Sequence, residues 1–345
     1  MVSQSSTDEA LAVSVRGRAL APVRHTPLLL YGVLVFMVGI AMYLLGVLLG
    51  IPRYALGLHD LRGVQQWLVW YSGIPLLSGI TLGLVDLLVL LDGKRVTRRV
   101  RFDQRESSRV TVALTAWNDE ESIAQAVEDF LAHPAVERVI VVSNNSADET
   151  FDRAARARAI AVNESRPGYG WCVTRCLAEA ARYEDTPYVV LCEGDRTFRA
   201  SDIDKLLAYA PHADIVNGTR TSDPLREYQT QLTTFMYYGN IFVGKLLEAK
   251  HLGRGTMSDV GTTYKLCDRL IVQELLPLLN PAINLEFNAH LLDVALGHGA
   301  TVVECPITFH RRVGASKGGN SSNWRGFVVG VRMIRGITFG WRSRS

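Results

Sequence analysis

The chain has 345 residues, 48% of them hydrophobic and 21% charged, which is enough for one large domain plus a part more apolar than a soluble protein needs. A net charge of +3, from 37 Lys and Arg against 34 Asp and Glu, gives no ground for a nucleic-acid partner. The five cysteines (Cys172, Cys176, Cys192, Cys267, Cys305) form no CxxC pair and none stands at zinc spacing to a histidine, so a zinc module is excluded and a reducing compartment fits.

Residues 1–26 read as a polar, Ser-rich tail. Residues 27–92 then hold the apolar surplus. No charged residue occurs from Leu28 to Gly50, a run long enough to span a bilayer core. A second run, about 67–91, is interrupted only by Asp86 and opens on Trp67, Trp70 and Tyr71, an interfacial aromatic belt. The expectation is a two-helix transmembrane hairpin rather than a cleavable signal peptide, because the first run is long, starts late and is followed by a second. Asp86 is close enough to the following basic cluster to pair with Lys94 or Arg95.

Basic residues predict the orientation. Arg16, Arg18 and Arg24 precede the first run, and Lys94, Arg95, Arg98, Arg99 and Arg101 follow the second, whereas the connecting loop carries only Arg53 and Arg62. By the positive-inside tendency both ends of the hairpin, and everything after the basic linker 93–109, face the cytoplasm as part of an integral membrane protein. Anionic lipid, not nucleic acid, is the natural partner of these clusters.

From Val110 the pattern changes to alternating strands and helices. Strands are expected at Val110–Leu114, Arg138–Val142, Ala159–Asn163, Tyr188–Cys192, Asp214–Asn217 and Thr301–Cys305. Helices are expected at Asp119–Ala132, from about Asp148, and at Trp171–Tyr183, the first with Asp119, Glu120 and Glu121 in its opening turn. The alternation predicts an α/β domain over 110–318 with a doubly wound, mostly parallel sheet. Residues 319–345 mix apolar residues with Arg325, Arg332 and Arg335, too charged to span but suited to a basic amphipathic helix in the membrane interface.

The most telling motif is Glu193-Gly194-Asp195, directly after the apolar run Tyr188–Cys192. Two carboxylates at the end of a buried strand are either a solvated acidic turn or an oxygen-rich site for a hard divalent cation, and the carboxyl ends of strands are where ligands bind in open α/β sheets. Seven further stretches accompany it: Val110–Ser122, Val141–Thr150, Gly168-Tyr169-Gly170, and the downstream set Asn217–Arg220, Asp259–Lys265, Val303–Ile307 and Arg312–Lys317. In order and spacing these resemble the family 2 glycosyltransferases, and the downstream set is most similar to polyprenyl-phosphate sugar synthases of the dolichyl-phosphate mannose synthase type.

The resemblance implies a GT-A catalytic domain and a donor site for a nucleotide-sugar. Thr115, Ala116, Trp117, Asn118 and Glu120 would cover the base and ribose, Ser143 and Asn144 would complete that pocket, and Gly170 belongs to the family's Gly-Lys-Gly turn. Glu193, Gly194 and Asp195 would stand in the place of the family's Asp-x-Asp motif, holding Mg2+ or Mn2+ on the diphosphate, with Asp195 as the principal ligand. Arg220, Arg312, Ser316 and Lys317 resemble its phosphate-contacting residues, and Asp259 would lie nearest the reacting carbon, orienting the sugar or acting as base. The chain departs from the family in having Ser143 for an Asp, Tyr169 for the turn's lysine and Glu193 for the first metal-motif Asp, and His290 stands where a carboxylate is often found, one turn after Glu286.

These readings predict a membrane-bound, metal-dependent inverting hexosyltransferase that uses a UDP- or GDP-sugar and a polyprenyl phosphate. The alternatives are transfer to a glycolipid or glycerolipid hydroxyl and, from a different class, a non-catalytic membrane scaffold. Assembly as a homo-oligomer is left open.

Overall fold

A computed structural model describes residues 20–23, 25–95, 100–103, 105–314 and 322–341. Arg16, Arg18, Arg24, Arg98, Arg99, Ser316 and Lys317 lie outside the described residues. The chain divides into two compact units, one of residues 24–96 with 246–254, the other of 1–23, 97–245 and 255–345.

The first unit is helical: α1 (Leu28–Ala55), α2 (Arg62–Tyr71), α3 (Gly73–Val85), a π-helical turn (Asp86–Leu90) and α4 (Leu91–Lys94). Two stretches, Leu28–Ala55 and His59–Lys94, are long and apolar enough to cross a membrane. A glycine stripe lets α1 and α3 approach closely. Gly32 and Gly39 are seven residues apart, hence on one helix face. A methyl group on Gly32 would sit 2.7 Å from the Gly79 carbonyl, and one on Gly79 would sit 2.6 Å from the Gly32 carbonyl. Contact between small residues is the usual means of packing helices that gain nothing from hiding apolar surface. Asp86 is fully buried and ion-paired with Lys94. Its Oδ2 accepts from the Leu29 amide at 2.7 Å, and Lys94 Nζ donates to the Thr26 carbonyl at 2.7 Å, so the pair staples the two ends of the hairpin.

The second unit is built on a seven-stranded sheet ordered β3-β2-β1-β4-β6-β5-β7. Its strands are β1 (Val110–Ala116), β2 (Val136–Asn144), β3 (Ile160–Glu164), β4 (Tyr188–Glu193), β5 (Ile215–Thr219), β6 (Lys265–Asp268) and β7 (Val302–Pro306). Helices α5 (Ile123–Leu131), α6 (Thr150–Arg156), α7 (Tyr169–Ala180), α8 (Ile203–Tyr209), α9 (Thr234–Lys250), α10 (Arg269–Leu275), α11 (Phe287–Gly297) and α12 (Asn323–Phe339) complete the chain order. Every residue of β1 is buried and β4 is buried up to Glu193, as expected of strands covered on both faces. Phe130, Phe198, Tyr264 and Phe309 pack edge-on or tilted in the core beside β4 and β6.

The sheet is mostly parallel, as predicted, but β6 runs antiparallel to both β4 and β5. This strand was not among those expected. It has four residues with a charged one at each end, which leaves no periodicity to read. The helix expected from Asp119 begins at Ile123 instead. Residues 120–122 form turns, because the Asp119 carboxylate folds back to accept from the Trp117 amide at 2.9 Å and its own amide donates to Thr150 Oγ1 at 2.8 Å. Glu120 and Glu121 therefore lie before the helix, not in its first turn. Helix α7 starts at Tyr169, two residues earlier than expected, and ends at Ala180.

Candidate active site

Strand register brings the motifs to one edge. Across the β2-β1-β4 layer Ser143 pairs with Ala116, and Thr115 with Glu193, so the carboxyl ends of three parallel strands finish side by side. The antiparallel register of β6, in which Leu191 faces Lys265, places Thr263 opposite Glu193. A cavity of about 1090 Å³ opens along this edge. Thr115, Ala116, Trp117, Asn144, Glu193, Asp195, Arg220 and Arg312 all line it.

Glu193-Gly194-Asp195 is held from several sides. Gly194 donates its amide to Thr115 O at 2.9 Å and accepts at its carbonyl from Ser122 Oγ at 2.9 Å. A side chain there would meet Ile123 Cδ1 at 2.5 Å, which explains the glycine between the acids and leaves it a packing contact behind the cavity wall. Asp195 is buried; its Oδ1 accepts from the Thr197 amide at 3.0 Å and hydroxyl at 2.6 Å, and its Oδ2 lies 3.1 Å from Arg312 Nη1. Glu193 accepts from Thr263 Oγ1 at 2.6 Å. Its recessed setting, with the Asp195 carboxylate next to it, pushes its pKa up to about 7. Arg312 is the cation beside this pair. Two such hard oxygen donors suit a hard divalent cation that takes its remaining ligands from a substrate. Among the described residues no three His, Cys, Asp or Glu side chains gather into a metal cage.

A neutral network supports Glu193 from below. Tyr169 Oη lies 2.5 Å from Thr263 Oγ1, and Asn288 Nδ2 donates to Tyr169 Oη at 3.0 Å and to the Gly261 carbonyl at 3.1 Å. Tyr169 thus does something a lysine in the Gly-x-Gly turn would not: it fixes the threonine that orients the carboxylate. Lys265 is fully buried beneath this network and donates to the Thr262 carbonyl and, at 3.4 Å, to Asn288 Oδ1. Burial pulls its pKa down to about 8.

Arg220 and Asp259 form a second buried unit. Arg220 donates from Nε to Asp259 Oδ2 at 2.7 Å and from Nη2 to Oδ1 at 2.8 Å, a two-pronged pair. Asn240, the Gly261 amide and the Thr262 amide also donate to Asp259 Oδ1. Burial raises the pKa of this carboxyl, but Arg220 and the other donors outweigh it and hold it at about 2. Glu304 locks the same loop by accepting from the Ser258 and Asp259 amides. Asp259 is fully buried and does not line the cavity; Arg220 stands in front of it.

The remaining expected residues are placed as follows. Asn144 lines the cavity, yet its amide is engaged in tying β2 to the loop before α7: Nδ2 donates to the Glu164 and Arg166 carbonyls, and Oδ1 accepts from the Gly168 amide. Ser143 donates to Ser146 Oγ at 2.9 Å. Asn118 accepts from the Ala147 amide, and Glu120 from the Glu149 amide while lying 3.7 Å from Arg153. Asn118, Glu120, Ser143 and Gly170 are not in the cavity lining. Gly170 is small for another reason: a methyl group there would lie 1.9 Å from the Ile283 carbonyl. His290 is buried, its Nε2 accepting from the Asn280 amide at 3.0 Å, so it packs as a structural residue of α11.

Several cavity residues carried no readable sequence signal. Asp119 falls within the Val110–Ser122 stretch, which gave no hint that its Oδ1 accepts from Arg312 Nη2 at 2.7 Å. Asn240 lies on α9 and Asn288 on α11, outside every motif. Thr263 sits within the Asp259–Lys265 stretch, and only the β4–β6 register shows which acid it serves.

Beyond the acidic end the cavity becomes apolar. Phe235, Met236 and Phe242 of α9 face Phe327, Val331 and Met333 of α12 across it, with the Phe235 and Phe327 rings 6.5 Å apart. Ser322 caps α12 by accepting from the Arg325 amide.

Residues 111–276 match the family model Glycosyl transferase family 2. The uncharacterized glycosyltransferase Rv0539 of Mycobacterium tuberculosis is 41% identical over 112 residues, 32% of this chain and 48% of that protein. The low-salt glycan biosynthesis hexosyltransferase Agl6 of Haloferax volcanii is 25% identical over 241 residues, 66% of this chain and 52% of that protein. The chain thus spans about half the length of these curated relatives. Glucosyl-3-phosphoglycerate synthase from Mycobacterium tuberculosis, solved with Mn2+ and UDP-glucose, superposes with a TM-score of 0.49 at 19% identity, covering 68% of this chain and 80% of that one.

Proposed function

We propose that this chain moves a hexose from a UDP- or GDP-sugar to a polyprenyl phosphate in an inverting, metal-dependent reaction. One observation carries the reading. A single cavity joins a recessed pair of carboxylates and two arginines at one end to an apolar flank between α9 and α12 at the other. A nucleotide-sugar needs the charged end, and a lipid acceptor needs both.

Glu193 and Asp195 would hold a Mg2+ or Mn2+ ion with the donor's diphosphate, and the ion would supply charge neutralisation of the departing nucleotide. The residues of the chain do the rest. Thr263 and Thr197 orient the two carboxylates, so their oxygens need not reorganise when the donor arrives. Trp117 and the ends of β1 and β2 offer the surface for the base. Arg220 lines the cavity with its guanidinium fixed by Asp259, a preorganised cation for an incoming phosphate. A lipid phosphate is already ionised at neutral pH, so alignment and electrostatics replace a strong base. Asp259 is accordingly a positioning residue for Arg220: its oxygens are engaged by donors, and at a pKa of about 2 it is a weak proton acceptor.

Membrane attachment through α1 and the His59–Lys94 helix belongs to the same proposal. Their outward side chains, among them Leu48, Ile51, Trp70 and Leu88, are exposed, an apolar surface that water does not favour. The basic residues at the two ends of the hairpin argue for a cytoplasmic catalytic domain.

Transfer of radiolabelled sugar from UDP- and GDP-hexoses into solvent-extractable lipid tests the reading. The expected result is incorporation that EDTA abolishes, that mild acid releases, and that D195N lowers by at least about 100-fold, the scale of losing a preorganised charge-stabilising group. Acid-stable product would point instead to a hydroxyl acceptor. Absence of metal-dependent transfer and of hydrolysis with every donor would leave a scaffold.

A further inference from the structure

Arg312 occupies a position that a divalent cation would contest. Its Nη2 donates to Asp119 Oδ1 at 2.7 Å, and its Nη1 lies 3.1 Å from Asp195 Oδ2. The arginine is not on a free tether. His310 N donates to the Thr197 carbonyl at 2.9 Å and Val313 N to the Asp195 carbonyl at 3.2 Å, so backbone bonds press this segment against the loop that carries Asp195. The other Asp195 oxygen is already engaged by the Thr197 amide and hydroxyl. Oδ2 is therefore the oxygen an ion would use, and it is the one Arg312 faces.

Two cations cannot share one carboxylate oxygen at full strength, since their mutual repulsion grows as water is excluded. Something must draw Arg312 away, and the suitable agent is a polyanion that binds a guanidinium and a metal together. A nucleoside diphosphate has that chemistry: its oxygens accept from a planar fork and also complete a metal's coordination shell. Asp119 gives the arginine a second anchor, so the exchange requires the guanidinium to turn rather than to leave.

The geometry points to Arg312 as an internal counter-cation that keeps Asp195 closed to a divalent ion until a nucleoside diphosphate takes over its guanidinium, so that metal and nucleotide enter as a pair. This rests on the donor-site reading above. It assigns Arg312 an effect on metal binding opposite to that of a residue that merely attracts substrate: removing it should open the site to metal alone.

The experiment is titration of the detergent-solubilised full chain with Mn2+, followed by the free-ion paramagnetic resonance signal, with and without UDP or GDP. Wild-type protein should bind Mn2+ weakly alone and much more tightly with the nucleotide. R312Q should tighten Mn2+ binding without nucleotide by about tenfold, as expected when a like charge is taken from a recessed site, and should shrink the gain from nucleotide by a similar factor. R312K keeps the charge but lacks the fork that spans two carboxylates, so its affinity should fall between the two. An R312Q protein with an unchanged melting profile and unchanged or weaker Mn2+ binding overturns the exchange. If R312Q does not fold, an unchanged affinity in R312K does so. Wild-type protein that binds neither Mn2+ nor either nucleotide overturns the donor-site reading and this inference together; nucleotide-coupled metal binding that is identical in R312Q overturns the inference alone.

Discussion

At the scale of single residues, the site combines groups whose charge is fixed with one whose charge is poised. Asp259 is held ionised by Arg220, whereas Glu193 is raised by its recessed setting and by Asp195. Lys265, beneath them, yields a prediction that does not depend on substrate. Its pKa falls from 10.5 to about 8 on folding because burial disfavours the ammonium. Between those two values the unfolded chain carries a proton that the folded chain has given up, so stability should rise with pH across that window and be lowest below about pH 8. Thermal melts at pH 7.5 and 9.5, each referred to K265M, should show the wild type gaining stability relative to the variant as pH increases. A parallel response in the two proteins would mean that the lysine is charged in the fold. Glu193 and Asp195 could be read from the strand they follow, whereas Arg220 and Arg312 were expected only from the resemblance of their stretches to family 2 glycosyltransferases. Motif reading had no access to Asn240 or Asn288, polar residues inside helices, whose role depends on what those helices face.

At the scale of elements, close approach decides which residues are tolerated. The N-terminus of α7 is packed against the 281–283 backbone, and a methyl group on Gly170 would be 1.9 Å from the Ile283 carbonyl and 2.6 Å from that of Pro281. G170A should therefore displace the first turn of α7, and with it Tyr169 and the Thr263 hydroxyl that orients Glu193. The expected cost is on the order of 1–3 kcal/mol of stability, the usual penalty of overpacking, with a fall in nucleotide-dependent thermal stabilisation larger than a remote destabilising variant of equal cost produces. An unshifted melting temperature would show that the turn can yield. The aromatic edge of the cavity gives a second test. F327Q, on the wall contributed by α12, should raise the KM for the lipid acceptor while leaving the donor KM unchanged; a change confined to the donor KM would place the acceptor elsewhere.

At the scale of the whole molecule, a mixed sheet with β6 reversed between β4 and β5 gathers residues more than a hundred positions apart. Thr115, Glu193, Thr263 and Arg312 meet at one edge; the motifs around Thr115, Glu193 and Arg312 anticipated this, but the partnership of Thr263 with Glu193 comes from the sheet order alone. In the other unit, glycines at the α1–α3 contact and the Asp86–Lys94 pair hold together two helices whose outer surface is apolar. If those helices cross a bilayer, the expressed chain should remain in the membrane pellet through alkaline carbonate extraction. Release into the supernatant would contradict the proposed attachment.

The sequence alone determined the two apolar helices, the alternation that makes an α/β sheet, and the acidic motif at the end of β4, because hydrophobic periodicity and turn chemistry are local properties. It also put Asp86 within reach of Lys94 or Arg95, and the structure selects Lys94, eight residues away. Only the tertiary structure decided that Asp259 is engaged as the anchor of Arg220, that Asn144 is used to tie two loops, and that Tyr169 supports Glu193 through Thr263. The reversed strand β6 and the Arg312 bridge between Asp119 and Asp195 belong to the same class. Each depends on which segments the sheet order brings together, and a hydrogen-bond partner far along the chain leaves no mark on the residues around it.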